Sequence, residues 1–329
     1  MKRLGWLLAV AGLVLAAALF ARTNVRDIVD LVVAAGFGLL GAALFHVVPM
    51  TVNAVAWQAL LPSSPRVHLR TLTWAIWLRE SVNGLLPVAR IGGEAVAYRI
   101  ARRHGARDSD VAASLVADMA LSILSQVAFT LFGLALLLAS HRTSSAAMEL
   151  IIAVGWLLPL GAAFMWVQRA SVLSDVVRFL DRVLVGRLRS VLHSSLRLDE
   201  SLRSIHVRKR DVRACFAWQL AGWIIGSGEI WLALYFLGRT PGILDAVAIE
   251  AFVQAAASAA FVMPAALGIQ EGAFVLIGAA LGFDATTALA LATARRLRDV
   301  VIFFPGLIAW QWTERRNHDA RRIRARELP

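Results

Sequence analysis

Long runs of apolar residues, separated by short polar segments, dominate the chain. A helix that crosses a membrane needs roughly 20 predominantly apolar residues, because each residue advances the chain by about 1.5 Å through a hydrocarbon core of about 30 Å. Six runs reach or approach this length, so the pattern predicts an all-α integral membrane protein with about six full transmembrane helices. These runs are Leu4–Phe20, Ile28–Ala59, Val111–Ala139, Glu149–Val167, Arg213–Leu237 and Thr286–Trp312.

Two further apolar regions, 71–103 and 243–283, are interrupted by proline and glycine. After each interruption the apolar arm has only about 10–15 residues, which is too short to cross the hydrocarbon core. Proline and glycine end helices and leave backbone groups unpaired. Such backbone is tolerated at membrane depth only beside protein or a water-filled cavity. Both regions are therefore predicted to be re-entrant helical hairpins.

Arginine is concentrated in the polar segments on one side of the predicted spans. The chain has a net charge of +12, and Lys2 and Lys209 are its only lysines. The segment 168–212 and the tail 313–329 are rich in arginine, whereas the opposite loops hold few arginines, which acidic residues offset. By the positive-inside rule, both termini and the segment 168–212 are predicted to lie in the cytoplasm, with the chain in a bacterial inner membrane.

The two interruptions share one spacing. Pro87 precedes Glu94 by seven residues, as Pro264 precedes Glu271, and 177 residues separate the two pairs. With the orientation above, the first hairpin would enter from the cytoplasm and the second from outside, which predicts an inverted-topology repeat typical of secondary transporters. A chance resemblance between two helix breaks is the alternative. The predicted repeats are 28–139 and 213–312.

The remaining segments complete a single polytopic membrane domain, 1–329. The run 4–20 is interpreted as a retained anchor, because it lacks a good small-residue cleavage site, and 149–167 as a linking span. The segment 168–212 has apolar residues three or four apart with arginines between them, which predicts an amphipathic helix on anionic lipids of the inner leaflet. The tryptophans lie in or beside hydrophobic runs, so the basic charge does not indicate a nucleic-acid partner.

Composition narrows the class of protein. The chain is 59% hydrophobic and 17% charged, whereas soluble domains are about 45–50% apolar and about 25% charged. This contrast argues against a soluble enzyme. A single cysteine, Cys215, excludes an internal disulfide and a thiolate metal site. Zinc-protease, nucleophile-elbow and phosphate-loop motifs are missing, so we expect neither catalysis nor a cofactor or metal.

Several ionisable residues lie inside the apolar regions, where each charge costs about 2.5–3.5 kcal/mol on insertion scales. They either pair with one another, for example Arg298 and Asp299 with Glu94 and Asp118, or line a path for a substrate. Arginine suits a phosphate or carboxylate, and helix N-termini at the breaks suit anions. His46, Gln126 and similar residues are expected to be hydrogen-bond partners between helices. The candidate substrate-binding residues are Arg90, Gly92, Gly93, Glu94, Arg99, Asp118, Gly268, Glu271, Arg295, Arg296, Arg298 and Asp299.

These motifs resemble a known family. The segments 86–94, 264–272 and 295–299, together with Asp118, are similar to the membrane region of lysylphosphatidylglycerol synthase/flippase proteins, and most similar to the hopanoid-associated HpnL-type branch. The resemblance covers nearly the whole chain and implies a flippase-like protein, with a link to placing hopanoids in the outer membrane. Because the chain ends at Pro329, we expect no aminoacyl transfer. The residues that match are Arg90, Gly92, Gly93, Glu94, Asp118, Gly268, Glu271 and Arg295.

Three functions remain open from the sequence. The first is a lipid flippase or transporter that moves a polar lipid, a hopanoid or a phospholipid, between leaflets, with Glu94 and Glu271 holding a cation, a hydroxyl or a coupling proton. The second is a membrane enzyme that modifies a lipid headgroup with Glu94 and Asp118 as acid and base. The third is a scaffold for lipid-synthesis enzymes. Expected partners are membrane lipids and lipid-synthesis or outer-membrane transport proteins.

Overall fold

The computed structural model describes residues 13–61, 67–86, 92–139, 208–259 and 266–326, with side chains up to residue 315. All regular secondary structure in these ranges is helical. The predicted linking span 149–167, most of the segment 168–212 and Arg90 lie outside the described residues, as does the start of the predicted anchor 4–20.

The N-terminal part contains four helices in succession. The described part of the first, α1, covers 13–21. The next three are α2 (Val25–Ala35), α3 (Phe37–Phe45) and α4 (Val47–Leu60). Gly36 separates α2 from α3 with φ 50°, a backbone conformation that glycine adopts without steric cost. Gly36 thus breaks the helix within the predicted span Ile28–Ala59, and the part that follows it, Phe37–Leu60, is still long and apolar enough to cross a membrane.

Both interrupted regions form pairs of packed helices. The first pair is α5 (Leu69–Leu85) and α6 (Gly92–Arg103). Between the two pairs lie the long helices α7 (Asp108–Ala139) and α8 (Lys209–Phe236), and α8 packs on α3, α4 and α7. The second pair is α9 (Ile243–Ala259) and α10 (Ile269–Leu281). At 1.5 Å per residue, α6 and α10 are only about 18–20 Å long, as the sequence predicted for the short arms.

The C-terminal helix is continuous but irregular. It begins as α11 (Ala285–Arg298), passes through a π-helical turn (Asp299–Phe303), and continues as α12 (Phe304–Arg326). The predicted span Thr286–Trp312 therefore contains an unpredicted change of helical geometry. A proline, Pro305, follows the turn and lacks the N–H that a regular helix would use there.

Asp284 caps α11 in the loop after α10. Its side chain accepts a hydrogen bond of 2.8 Å from the Thr287 backbone N–H, which satisfies one of the free donors at the helix start. Burial opposes ionisation of this carboxyl group, but the hydrogen bonds from Thr287 and the nearby charge of Arg239 outweigh it, so the pKa of Asp284 lies below its ordinary value. The ionised carboxylate is therefore favoured by the folded loop.

Helix boundaries recur along the chain. The start of α6 at residue 92 and the start of α10 at residue 269 are 177 residues apart. The start of α7 at residue 108 and that of α11 at residue 285 have the same separation. This equals the spacing of the proline and glutamate pairs in the sequence, so the short arm of each hairpin and the helix after it begin at matching positions.

Two hydrophobic clusters organise the interior. One combines α9, α10 and α11 with α3 and the end of α8, around Ile249 and Phe274. The other combines α4, α5 and α6 with the π-helical turn, around Trp57 and Ile76. Each hairpin thus contributes to its own cluster, and α7 contributes to both, with Leu137 in one and with Val111 and Leu115 in the other.

Large apolar side chains also remain on the outside. Phe37 is 90% exposed and Val33 is 70% exposed, which would be unfavourable in water but suits contact with lipid. Two described stretches, Phe37–Leu60 and Asp108–Ala139, are long and apolar enough to cross a membrane. Helix α8 is long enough, at about 42 Å, but it buries polar side chains, including Gln219 and Glu229.

Candidate functional site

A network of charged side chains lies between and within the two hairpins. In the described part of the chain it contains four arginines, seven carboxylates and one histidine, nearly all with little exposed surface. We call this set the charge network. Its members are His46, Arg79, Glu80, Glu94, Asp118, Glu229, Glu250, Glu271, Arg295, Arg296, Arg298 and Asp299.

At the first hairpin, one arginine joins three helices. Nη1 of Arg79, on α5, lies 2.8 Å from Asp118 Oδ2 on α7 and 3.5 Å from Glu94 Oε2 on α6. Asp118 also accepts a hydrogen bond of 2.7 Å from Gln219 Nε2 on α8. The Arg79 side chain thus ties both arms of the hairpin to the long helices behind it.

Gly93 is required by the close packing of the two arms. Its backbone N–H donates a hydrogen bond of 2.9 Å to Asn83 Oδ1 on α5. A Cβ atom at position 93 would lie only 2.7 Å from the Asn83 side chain and would also clash with the Arg79 carbonyl oxygen. Gly93 is among the candidate substrate-binding residues, but the face that its missing side chain would take is occupied by α5.

At the second hairpin, a glutamate closes the start of the short arm. Glu271 Oε2 accepts the Gly268 backbone N–H at 2.7 Å, and Gly268 has a φ of 78° that favours glycine. Glu271 Oε1 receives Arg296 Nη2 at 2.7 Å and Nε at 2.9 Å. Glu271 is the third residue of α10, as Glu94 is the third residue of α6, so both carboxylates lie in the positive first turn of a short arm.

Arg295 is the most enclosed cation of the charge network, with 1% of its side chain exposed. It contacts Glu250 on α9 directly and lies 3.7 Å from Glu229 on α8. Gln254 donates a hydrogen bond of 2.8 Å to the other Glu250 oxygen. Gln126 bonds to the Gln254 carbonyl and to Ser258, which confirms the prediction that Gln126 is a hydrogen-bond partner between helices.

His46, between α3 and α4, joins the first hairpin to α8 and α11. Its Nδ1 lies 2.9 Å from Glu229 Oε2, and its Nε2 lies 3.4 Å from Glu80 Oε2 on α5. Arg298 Nη1 lies 3.4 Å from both Glu229 Oε2 and His46 Nδ1. Arg298 also pairs with Asp299 and stacks over the Phe303 ring. This junction links α5 to α8 and α11.

The structure brings most of the predicted residues together. Arg99 is an exception, because its half-exposed side chain lies 2.6 Å from Glu314, away from the charge network. The expected pairing of Arg298 and Asp299 with Glu94 and Asp118 is wrong. Arg79 takes both acidic groups instead. The predicted residues within the charge network or its hairpin breaks are Gly92, Gly93, Glu94, Asp118, Gly268, Glu271, Arg295, Arg296, Arg298 and Asp299.

Several members were not among the predicted site residues. Arg79, Glu80, Glu229 and Glu250 are recognisable from the sequence as ionisable residues within apolar segments, but they were not included among the candidate substrate-binding residues. Asn83 and Gln219 carry no comparable signal, and only the packing of the helices reveals their contacts.

The balance of charge limits what the site can receive. Within the described residues of the charge network, seven carboxylates face four arginines, and every arginine contacts at least one carboxylate. An anionic group would therefore have to replace a carboxylate as the partner of an arginine. A cation or a proton could instead be held by the surplus acidic groups.

Comparison with known proteins places the chain in a protein family. No curated protein matches it. The family model for the lysylphosphatidylglycerol synthase TM region matches residues 5–306, nearly the whole chain. This match and the all-helical structure of the described residues support a membrane location and imply a lipid-related function of the flippase or synthase type. The chain belongs to the lysylphosphatidylglycerol synthase transmembrane-region family.

Proposed function

We propose that the protein is a lipid flippase that moves a polar lipid between the leaflets of a bacterial inner membrane. The observation that carries this proposal is the charge network, which runs from one interrupted hairpin to the other through the His46 junction. Charges inside apolar helices are costly and are associated with substrate or ion paths. A lipid headgroup crossing the bilayer needs such a polar lining.

The flippase would be built as an inverted-topology repeat. The recurrence of helix starts at a separation of 177 residues supports this arrangement, as does the equivalent position of Glu94 and Glu271 in the first turns of α6 and α10. In folds of this kind, substrate sites lie near the membrane midplane, where the broken helices meet. The termini and the basic segment 168–212 would face the cytoplasm, where that segment would contact anionic lipids.

Transport would proceed by exchange of ion-pair partners. A phosphate group can accept the forked donors of an arginine, in place of a carboxylate, with similar geometry. Arg296 is suited to this exchange, because 25% of its side chain is exposed while that of Arg295 is almost fully enclosed. A hydroxyl or amine headgroup would instead engage carboxylates such as Glu94, which is 19% exposed.

The substrate would be a hopanoid or a phospholipid, and both can be tested with purified protein. Liposomes containing the protein would carry either fluorescent phosphatidylglycerol or a radiolabelled hydroxylated hopanoid, and movement between leaflets would be followed by quenching or extraction of the outer leaflet. The protein should accelerate movement of at least one probe over protein-free liposomes. Glu94→Gln should reduce the rate by about tenfold or more, which corresponds to about 1.4 kcal/mol in the barrier.

Asp108→Asn is the matched control, because Asp108 is an exposed carboxylate that pairs with Arg102 outside the charge network. Its transport rate should equal that of the unchanged protein. Equal rates with and without protein for both probes would contradict the proposal. A chemical change in the probe lipid, detected by mass spectrometry, would favour a headgroup-modifying enzyme. If deleting 170–206 abolishes the protein's role in cells while Glu94→Gln does not, a scaffold would be favoured.

A further inference from the structure

His46 is flanked by two acidic side chains. Glu229 on α8 faces Nδ1 at 2.9 Å, and Glu80 on α5 faces Nε2 at 3.4 Å. Both ring nitrogens of a buried histidine are thus directed at carboxylate oxygens within apolar helices. This arrangement differs from a structural histidine, which needs only one acceptor and one donor around its ring.

The donors and acceptors of this triad provide a place for an additional proton. A neutral imidazole has one N–H and one lone pair, and an ionised carboxylate can only accept. With two ionised glutamates, one ring nitrogen would direct a lone pair at a carboxylate oxygen. Both glutamate contacts are satisfied when the ring is an imidazolium or when one glutamate is protonated; in the alternative, a neutral ring accepts at Nδ1 from Arg298 Nη1.

From this geometry we infer that Glu80, His46 and Glu229 form a proton relay, and that the proton is the ion coupled to lipid movement. The second part of this inference rests on the proposed flippase function. A proton that arrives on Glu80 passes to Nε2, and the proton on Nδ1 passes to Glu229. The transfer changes the tautomer of the ring and leaves its net charge as it was. Only N–H and O–H bonds are formed and broken.

The relay has a direction set by burial. The exposed fraction of the side chain falls from 24% at Glu80 to 15% at His46 and 6% at Glu229. Beyond Glu229 lies a small cavity lined by Glu229, Arg295 and apolar side chains, with room for about one water molecule. Nε of Arg295 is buried and has no hydrogen-bond partner among the described residues, so the cavity offers a polar continuation of the relay.

Charged groups from every adjacent element act on His46. In addition to Glu80 and Glu229, Arg298 on α11 points Nη1 at Nδ1, and the edge of the Phe303 ring in the π-helical turn contacts the imidazole. Asp299 in the same turn pairs with Arg298 and offsets its charge. The positive charge of Arg298 opposes a proton on Nδ1. The fraction of His46 that carries this proton therefore depends on which anionic group Arg298 is paired with.

This competition provides the coupling. When Glu229 is ionised, it attracts Arg298 and Arg295, at 3.4 Å and 3.7 Å. When Glu229 takes the proton, it loses that charge, and the guanidinium group of Arg298 can turn to an anionic headgroup, while Arg295 stays paired with Glu250. Proton binding and headgroup binding then favour each other, and such linkage is reciprocal.

The proton site can be tested without any lipid transport. Nitrogen NMR of histidine-labelled protein in nanodiscs distinguishes imidazolium from the two neutral tautomers, and the His46 signal is identified by its loss in His46→Gln. Histidine ordinarily titrates between about pH 5 and 8. Across much of this range we expect each ring nitrogen of His46 either to carry a proton or to accept a hydrogen bond from a protonated glutamate. Glu80→Gln should shift this titration, whereas His104→Gln, which alters a histidine beside the Ile100 carbonyl, should leave it unchanged.

A second experiment separates the relay from the flippase function. Liposomes with fluorescent phosphatidylglycerol would be compared with and without a proton gradient, using the unchanged protein, Glu80→Gln and His104→Gln. A gradient should change the transport rate by about tenfold in the unchanged protein and His104→Gln, but not in Glu80→Gln. If lipid moves at one rate regardless of the gradient, coupling is overturned while the flippase stands. If no lipid moves but the His46 signal behaves as expected, the relay stands without the flippase. A His46 ring that stays neutral with one bare nitrogen throughout overturns the relay.

Discussion

Replacing Gly93 by alanine tests whether the first hairpin is held together by direct backbone contact. The added methyl group would meet the Arg79 carbonyl oxygen and the Asn83 side chain, and a helix backbone cannot yield as a flexible side chain can. Inserting a methyl group into a well-packed site costs about 1–3 kcal/mol. This exceeds the gain of about 0.5–1 kcal/mol that alanine gives over glycine within a helix.

Gly41→Ala is the matched control. Gly41 lies within α3, and no atom lies within 4 Å of the position its Cβ would take. Alanine there should be neutral or slightly stabilising. The two variants should therefore differ in unfolding free energy by about 2 kcal/mol, or by about 4–8 °C in Tm, since each kcal/mol moves Tm by about 2–4 °C in a chain of this order of size.

The measurement is thermal unfolding of both variants in the same lipid nanodisc, followed by circular dichroism and tryptophan fluorescence. Asn83→Ala combined with Gly93→Ala should cost less than the sum of the two single variants, because both changes act on the same contact between α5 and α6. Equal Tm values for Gly93→Ala and Gly41→Ala would show that α5 and α6 do not pack as described.

Three further predictions concern buried charge, pH and topology. Glu250→Gln and Arg295→Gln should each destabilise the protein by about 3–5 kcal/mol, because each leaves its partner buried with less compensating charge. The double variant should lose less unfolding free energy than the sum of the two single variants. Additive losses in this double-mutant cycle would refute the ion pair. The pKa of Asp284 is lowered in the folded protein, so its stabilising effect is present above the ordinary aspartate pKa of about 3.9 and is lost as pH falls through the lower folded-state pKa. Asp284→Asn should remove this acid dependence from a plot of Tm against pH. An unchanged plot would contradict the prediction. Cysteines introduced at Leu86 and at Leu267, in a background without the native cysteine, should react with an impermeant maleimide from the cytoplasmic and the outer side respectively, and labelling of both from one side would exclude the inverted repeat.

The positions of the helices were largely predictable because apolar runs and helix-breaking residues have direct local causes. The breaks near Pro87 and Pro264 follow from the chemistry of proline and glycine, and the short arms α6 and α10 follow from the length of the apolar runs after them. Gly36 was missed because an isolated glycine is compatible with a helix, and only tertiary packing selects its positive φ. The π-helical turn was missed because it, too, depends on tertiary packing.

The charge network was predictable in kind but not in its pairing. The sequence shows that Glu94 and Asp118 are ionisable groups within apolar segments and therefore need partners. It does not show that Arg79 provides the partner, because the choice depends on how α5, α6 and α7 are rotated against one another. Arg99 was misplaced because the helical position of a residue in a short amphipathic arm does not fix whether it faces inwards.

The ion pairs that join α8 and α9 to α11 also bear on the synthesis of the protein, because the acidic member of each pair is made before the basic one. Glu250 precedes its partner Arg295 by 45 residues, and Glu229 precedes Arg298 by 69 residues. At about 5–20 residues per second, the acidic groups wait between about 2 and 14 s for the cations that neutralise them. In the proposed topology, α8 and α9 would enter the membrane before their acidic groups are paired, and they would stay close to the insertion machinery or to water until α11 has been synthesised.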